Sequence, residues 1–130
     1  MHSSYSSGFT VAEVLIAIAM LFGAGYLVNT QLQHSAAAER DLDRKTAINA
    51  VHFYLKDIYS EQNDGFPSTL SEATLKSLAK DNVRDPAGRL VGAPGSDLRY
   101  EPTDCNNSVC QYYTLRANLE QEEDFIRSSE

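Results

Sequence analysis

Three groups of residues in this chain have types and spacings suited to chemistry. The first is Glu13, the single acid within the apolar run from Phe9 to Val28; a carboxylate in hydrocarbon costs about 3 kcal/mol unless a cation meets it. The second is Cys105 and Cys110, the only cysteines, in CNNSVC with a strand pattern on either side. A bridge between them would close a small loop at a hairpin tip and would persist only outside the reducing cytosol. Free thiols are one alternative, and a metal pair is another, short of the roughly four ligands that structural zinc takes. The third group is titratable. His34 and His52 share a helical face, but 18 residues separate them by about 27 Å at ~1.5 Å per residue, too far to hold one ion. The acids of EQEEDF, Glu120 to Phe125, offer oxygen ligands of the kind calcium takes, yet a terminal charge run of this sort reads as solvated. The chain contains neither a Gly-x-Ser-x-Gly elbow nor a P-loop, so neither enzymatic chemistry nor a cofactor or metal is expected.

The elements that must position these residues follow from periodicity. Of the 20 residues from Phe9 to Val28, 16 are apolar, and a helix of that length crosses a ~30 Å hydrocarbon core. No Gly or Pro occurs from Asn29 to Gln62, so the helix is expected to continue from about Phe9 to Gln62. Ile48, Val51, Leu55 and Ile58, with Tyr59 beside Leu55, form one apolar stripe on its second half. Gly65 suits a C-terminal cap, and Pro67 forbids continuation. A short second helix is expected in TLSEATLKSLAK, with Thr69 and Glu72 at capping-box spacing and Leu75, Leu78 and Ala79 on one face. Strands are expected at Arg89 to Val91, Leu98 to Glu101 and Gln111 to Leu119. In the last, Tyr113, Leu115, Ala117 and Leu119 face a core and Tyr112, Thr114, Arg116 and Asn118 face water. The fold class is therefore α+β, a long helix carrying a small antiparallel sheet of about three strands. The domains read as a leader over 1–8, a transmembrane helix over 9–28, its amphipathic continuation over 29–62, and a small head over 63–130 packed on residues 45–62.

Charge divides the same way. All 11 Lys and Arg and 17 of the 18 acids lie beyond residue 38. Such an acidic head repels phosphate backbones, and direct nucleic-acid binding is not expected. A conventional signal peptide has a basic n-region and a small-residue cleavage site. Here MHSSYSSG has no Lys or Arg, and the A-x-A pattern at Ala36 to Ala38 lies inside the helical pattern.

The segment GFTVAEVL, Gly8 to Leu15, resembles the class III signal of type IV pilins and type II secretion pseudopilins, whose usual form is G-F-T-L-I-E-V-L. Further on, DGFPSTL resembles the segment that closes the long pilin helix, DPAG the D-P-W-G turn of pseudopilins, and YTLRANLE a terminal pilin strand. The resemblance implies a membrane-anchored precursor cut between Gly8 and Phe9 by a prepilin peptidase, then N-methylated at Phe9. It implies partners as well: lipid before assembly, an assembly platform in the cytoplasmic membrane, and copies of this chain or other pilins in a filament at the cell surface. Glu13 would face the Phe9 ammonium of a neighbouring subunit, a pair worth roughly 4 kcal/mol at ~4 Å and an effective dielectric of ~20. Two departures stand out: the leader offers only His2 and the initiating amine as cations, and Ala12 replaces a bulky residue. Gly23 and Gly25 match the stretch that can lose helicity in family filaments, or simply allow close helix packing. The reading from a different class is a membrane-anchored or secreted non-enzymatic binding protein with a conventional signal or anchor.

Overall fold

The structure, a computed structural model, describes residues 8–130; the rest of the leader, with its missing Lys and Arg, lies outside the described residues. Helix runs without interruption over Val11–Asn63, 53 residues. It comprises α1 (Val11–Phe53), a π-helical turn (Tyr54–Tyr59) and α2 (Ser60–Asn63). The chain forms two compact units, Met1–Ala36 and Ala37–Glu130.

The described part of the first unit is the apolar stretch of α1 and the three residues before it. Its side chains have no cover among the described residues: Leu21 and Phe22 are 73% and 77% exposed. Length and composition fit a membrane anchor or a signal sequence.

The second unit is built around an antiparallel sheet of four strands. Strand β3 (Val109–Ala117) is central. Along one side lies β2 (Leu98–Asn106), paired from Leu98 opposite Ala117 to Asn106 opposite Val109. The other side is shared by β1 (Phe66–Pro67) at the tip end and β4 (Phe125–Ser128) at the far end. Alternation in β3 holds: Tyr113, Leu115 and Ala117 are buried, whereas Tyr112 is 43% exposed. They meet Ala47, Ile48, Val51, Tyr54 and Leu55 of the long helix, with Leu75, Val83, Val91 and Leu98 completing the core. Each fully buried Leu, Ile or Val contributes about 1.5–3 kcal/mol, which is how the helix and sheet are held together.

Four expectations are corrected. Ile58 is 37% exposed, because π-type i→i+5 bonding widens the turn and delays the stripe by about a residue. Tyr59 takes the inner position instead, against the Tyr54 ring at 6.3 Å between centroids. The helix closes on Asp64, left-handed at φ 53°, and not on Gly65. Gly65 serves a different purpose: a Cβ there would lie 2.6 Å from Val109 Cγ1 and 2.8 Å from the Cys110 carbonyl oxygen.

The expected second helix over Thr69 to Lys80 is a series of turns followed by a 3-10 turn, Lys80–Val83. The Tyr54 hydroxyl donates to the Thr74 carbonyl at 2.8 Å, the acceptor an α-helix would give to Leu78 N–H; that N–H turns to the Leu75 carbonyl instead. Competition from the core overrides a segment too short to be a stable helix alone. Arg89 to Val91 is no strand either, only a bridge between Arg84 and Leu90. The sheet's third and fourth members are β1 and β4.

Candidate functional site

Gly8, Phe9 and Thr10 precede α1 in non-helical backbone, and all three are exposed, Phe9 at 87%. The Gly8–Phe9 bond is thus flanked by exposed residues, and among the described residues nothing lies within 4 Å of where a Cβ on Gly8 would sit. Thr10 is the helix N-cap. Its hydroxyl accepts from Glu13 N–H at 3.3 Å, while Glu13 Oε2 accepts from Thr10 N–H at 2.8 Å and from the Thr10 hydroxyl at 3.0 Å. This is a reciprocal capping box, worth about 1 kcal/mol to helix initiation. The spacing T-x-x-E was visible in TVAE, where the acid read only as a partner for a neighbour's amine. Glu13 therefore has a local role in one chain, and its carboxylate stands four residues from Phe9. Gly23 and Gly25 are helical, with open space where a Cβ would sit.

In the second unit Cys105 and Cys110 form the disulfide, with Cys110 buried and Cys105 exposed. The bridge joins cross-strand partners one step from the β2–β3 turn. His52 Nδ1 lies 2.9 Å from the hydroxyl of buried Tyr113. Among the described residues no three His, Cys, Asp or Glu side chains group as metal ligands.

Three of the four acids in the run expected to be solvated, Glu120, Glu122 and Asp124, are engaged while remaining at the surface. Asp41 and Arg44, on α1, are 3% and 6% exposed. Asp41 accepts from the Glu120 N–H at 2.8 Å, from the Gln121 N–H at 3.0 Å and from Arg44 Nη1 at 2.8 Å. Arg44 also donates to Glu120 Oε1 at 2.8 Å and to Asp97 Oδ2 at 2.9 Å, and Arg40 holds Glu120 through two bonds of 2.8 and 2.6 Å. Lys45 pairs with Glu122, and Asp124 with Arg99 and Arg116. This latch ties the segment after β3 to the helix, about 80 residues away in sequence. Burial by itself would raise the Asp41 carboxyl, but the two N–H groups and the Arg44 guanidinium outweigh it and hold the group below its ordinary value. The hydrogen bonds from Arg40 and Arg44 push Glu120 down to about 2.

Asp85, opening the DPAG turn, is a second hub, 4% exposed. It accepts from the backbone N–H groups of Ala87, Arg89 and Asp97, from the Ser96 hydroxyl and from Arg89 Nε. Gly88 completes the turn at φ 81°.

The architecture is pilin-like: a long helix with an apolar N-terminal portion, packed further along on a small antiparallel sheet that carries a disulfide. Searches against protein-family models, curated proteins and solved structures find no match to this chain.

Proposed function

We propose that this chain is a structural, non-enzymatic subunit, a pilin or pseudopilin, of a type IV pilus-like filament. It is made as a precursor anchored in the cytoplasmic membrane by α1, cut after Gly8, N-methylated at Phe9 and polymerised through the same helix into a surface filament. The observation that carries this is the contrast inside one helical run. Its first half is apolar and uncovered, and it begins at an exposed Gly8–Phe9 bond with Glu13 one turn inside, whereas its second half is the spine of a disulfide-fastened head. Lipid covers the first half before assembly, and neighbouring helices cover it afterwards. Prepilin peptidase and the membrane assembly platform are the other partners. Cleavage creates the Phe9 ammonium, and Glu13 exchanges its capping bonds for the ammonium of a neighbour when the axial stagger is correct.

The capping box supplies the test. Gln serves at this position of a capping box as Glu does, so Glu13→Gln keeps the cap and removes the charge, and Glu13→Ala removes both. If the carboxylate pairs with an amine, both variants are cleaved and inserted normally, yet filaments counted by electron microscopy fall sharply in both. For a minor subunit, co-purification with the filament is the readout. Wild-type assembly of Glu13→Gln would reduce Glu13 to a helix cap.

A further inference from the structure

The tip of the β2–β3 hairpin carries chemistry that the pairing of the sheet does not require. Its residues are Asp104, Cys105, Asn106, Asn107 and Ser108, and all of them are exposed. Asn106-Asn107-Ser108 is an Asn-x-Ser triplet without proline, the acceptor pattern for N-linked glycan transfer, and such triplets belong on surface loops of exported proteins. It is the only Asn-x-Ser/Thr triplet in the 130 residues.

Three structural features converge on it. Asn106 opposes Val109 and Cys105 opposes Cys110, so Asn107 and Ser108 are the two-residue turn at the end of the hairpin. Asn107 turns the chain in the left-handed region at φ 57°, the Ser108 carbonyl accepts from Ser68 N–H at 3.1 Å, and all three residues of the triplet are exposed. The flanking Cys105–Cys110 bridge places this hairpin in an oxidising compartment, the side of the membrane on which glycan is transferred to Asn. Asp104, two residues before Asn106, adds an exposed carboxylate that a basic pocket of a transferase can grip.

We propose that Asn106 is an N-glycosylation site whose donor is a lipid-pyrophosphate-linked oligosaccharide, transferred by a membrane oligosaccharyltransferase. Asn106 Nδ2 attacks C1 of the first sugar. The C–N bond forms as the C1–O bond to the pyrophosphate breaks, Nδ2 gives up one proton to a base of the transferase, and the lipid pyrophosphate leaves with the electron pair. No redox change is involved. Ser108 supplies the hydroxyl that the transferase reads, and Asp104 the anionic grip. The proposal needs export of the head and not the filament, so it applies equally to a plain anchored protein.

The test uses full-length protein from cells whose other Asn-x-Ser/Thr proteins carry N-linked glycan. After reduction, alkylation and trypsin, the fragment Tyr100–Arg116 is sequenced by electron-transfer fragmentation, which keeps glycans attached. An oligosaccharide increment located on Asn106 is expected. It should vanish in Asn106→Gln and Ser108→Ala, persist in Ser108→Thr and fall severalfold in Asp104→Asn, with the Cys105–Cys110 bridge intact in each. A fragment of unmodified mass beside an occupied control glycoprotein overturns the proposal, as does an increment located on Ser108 or Thr103.

Discussion

The two halves of the helical run obey opposite rules. From Val11 to Ala36 the apolar side chains face outward with no cover among the described residues, and Glu13 is engaged only by its own cap. From Ala37 onward an apolar core forms around Ile48, Val51 and Leu55, and even charged residues are drawn in: Asp41 and Arg44 are buried and paired within the unit. A self-sufficient domain buries its own apolar surface, and a segment that does not is built for a surface that other molecules supply. The difference teaches that one chain can hold a finished unit and an unfinished one; in the proposed filament the second acquires its environment from lipid and then from copies.

Changes in the head should therefore alter its stability and leave N-terminal processing untouched. The largest effect is expected at Arg44. Arg44→Ala leaves buried Asp41 without its guanidinium and takes one partner each from Glu120, which Arg40 still holds, and Asp97, at a cost of about 3 kcal/mol. Thermal unfolding of the full chain in detergent, followed by tyrosine circular dichroism, should show a fall in Tm of many degrees with the mature N-terminus unchanged. A Tm within a degree or two of wild type would mean the latch is ornamental.

Next comes the bridge. Replacing both Cys105 and Cys110 by Ser removes a loop closure worth about 2 kcal/mol at this short separation. Since the bridge lies one step from the hairpin turn and only its Cys110 end is buried, the double variant should keep the fold and lose Tm. Free thiols titrating in unreduced wild-type protein would contradict the pairing.

The smallest effect is one of pH. Asp41, Asp85 and Glu120 are all held below their ordinary values in the folded head. A carboxyl depressed on folding stabilises at pH above its unfolded value of about 4 and loses that contribution as pH falls through the folded value. Tm should be flat with respect to these groups down to about pH 5 and drop between about pH 4 and 2. A rise in Tm over that interval would show that repulsion within an acidic head outweighs the latch.

Much of this was legible in the sequence, for physical reasons that differ by region. The long helix, the inward stripe at Ile48, Val51 and Leu55, and the alternation around Tyr113 are set by local period, which a sequence displays directly. Strands β1 and β4 were not legible because Phe66–Pro67 and Phe125–Ser128 are strands only by virtue of pairing with β3. The turns over Thr69 to Lys80 replaced a helix because Tyr54, 20 residues earlier, takes the Thr74 carbonyl. The latch was missed because charged side chains read as solvated, and only folding brings Asp41 to the Glu120 backbone. At the N-terminus, T-x-x-E was legible, but its two roles, capping one chain and pairing with another, share the same letters.

The central claim is that the uncovered half of the helix belongs to a processed filament subunit, and the mass of the mature N-terminus tests it most directly. Full-length protein from the producing cells should begin at Phe9, heavier by one methyl group, and Gly8→Leu should leave the chain uncut in the membrane because a side chain blocks the close approach that glycine allows. An intact Met1 in the wild type would make α1 a plain anchor, and a chain beginning at Glu39 would make it a conventional signal; either contradicts the account.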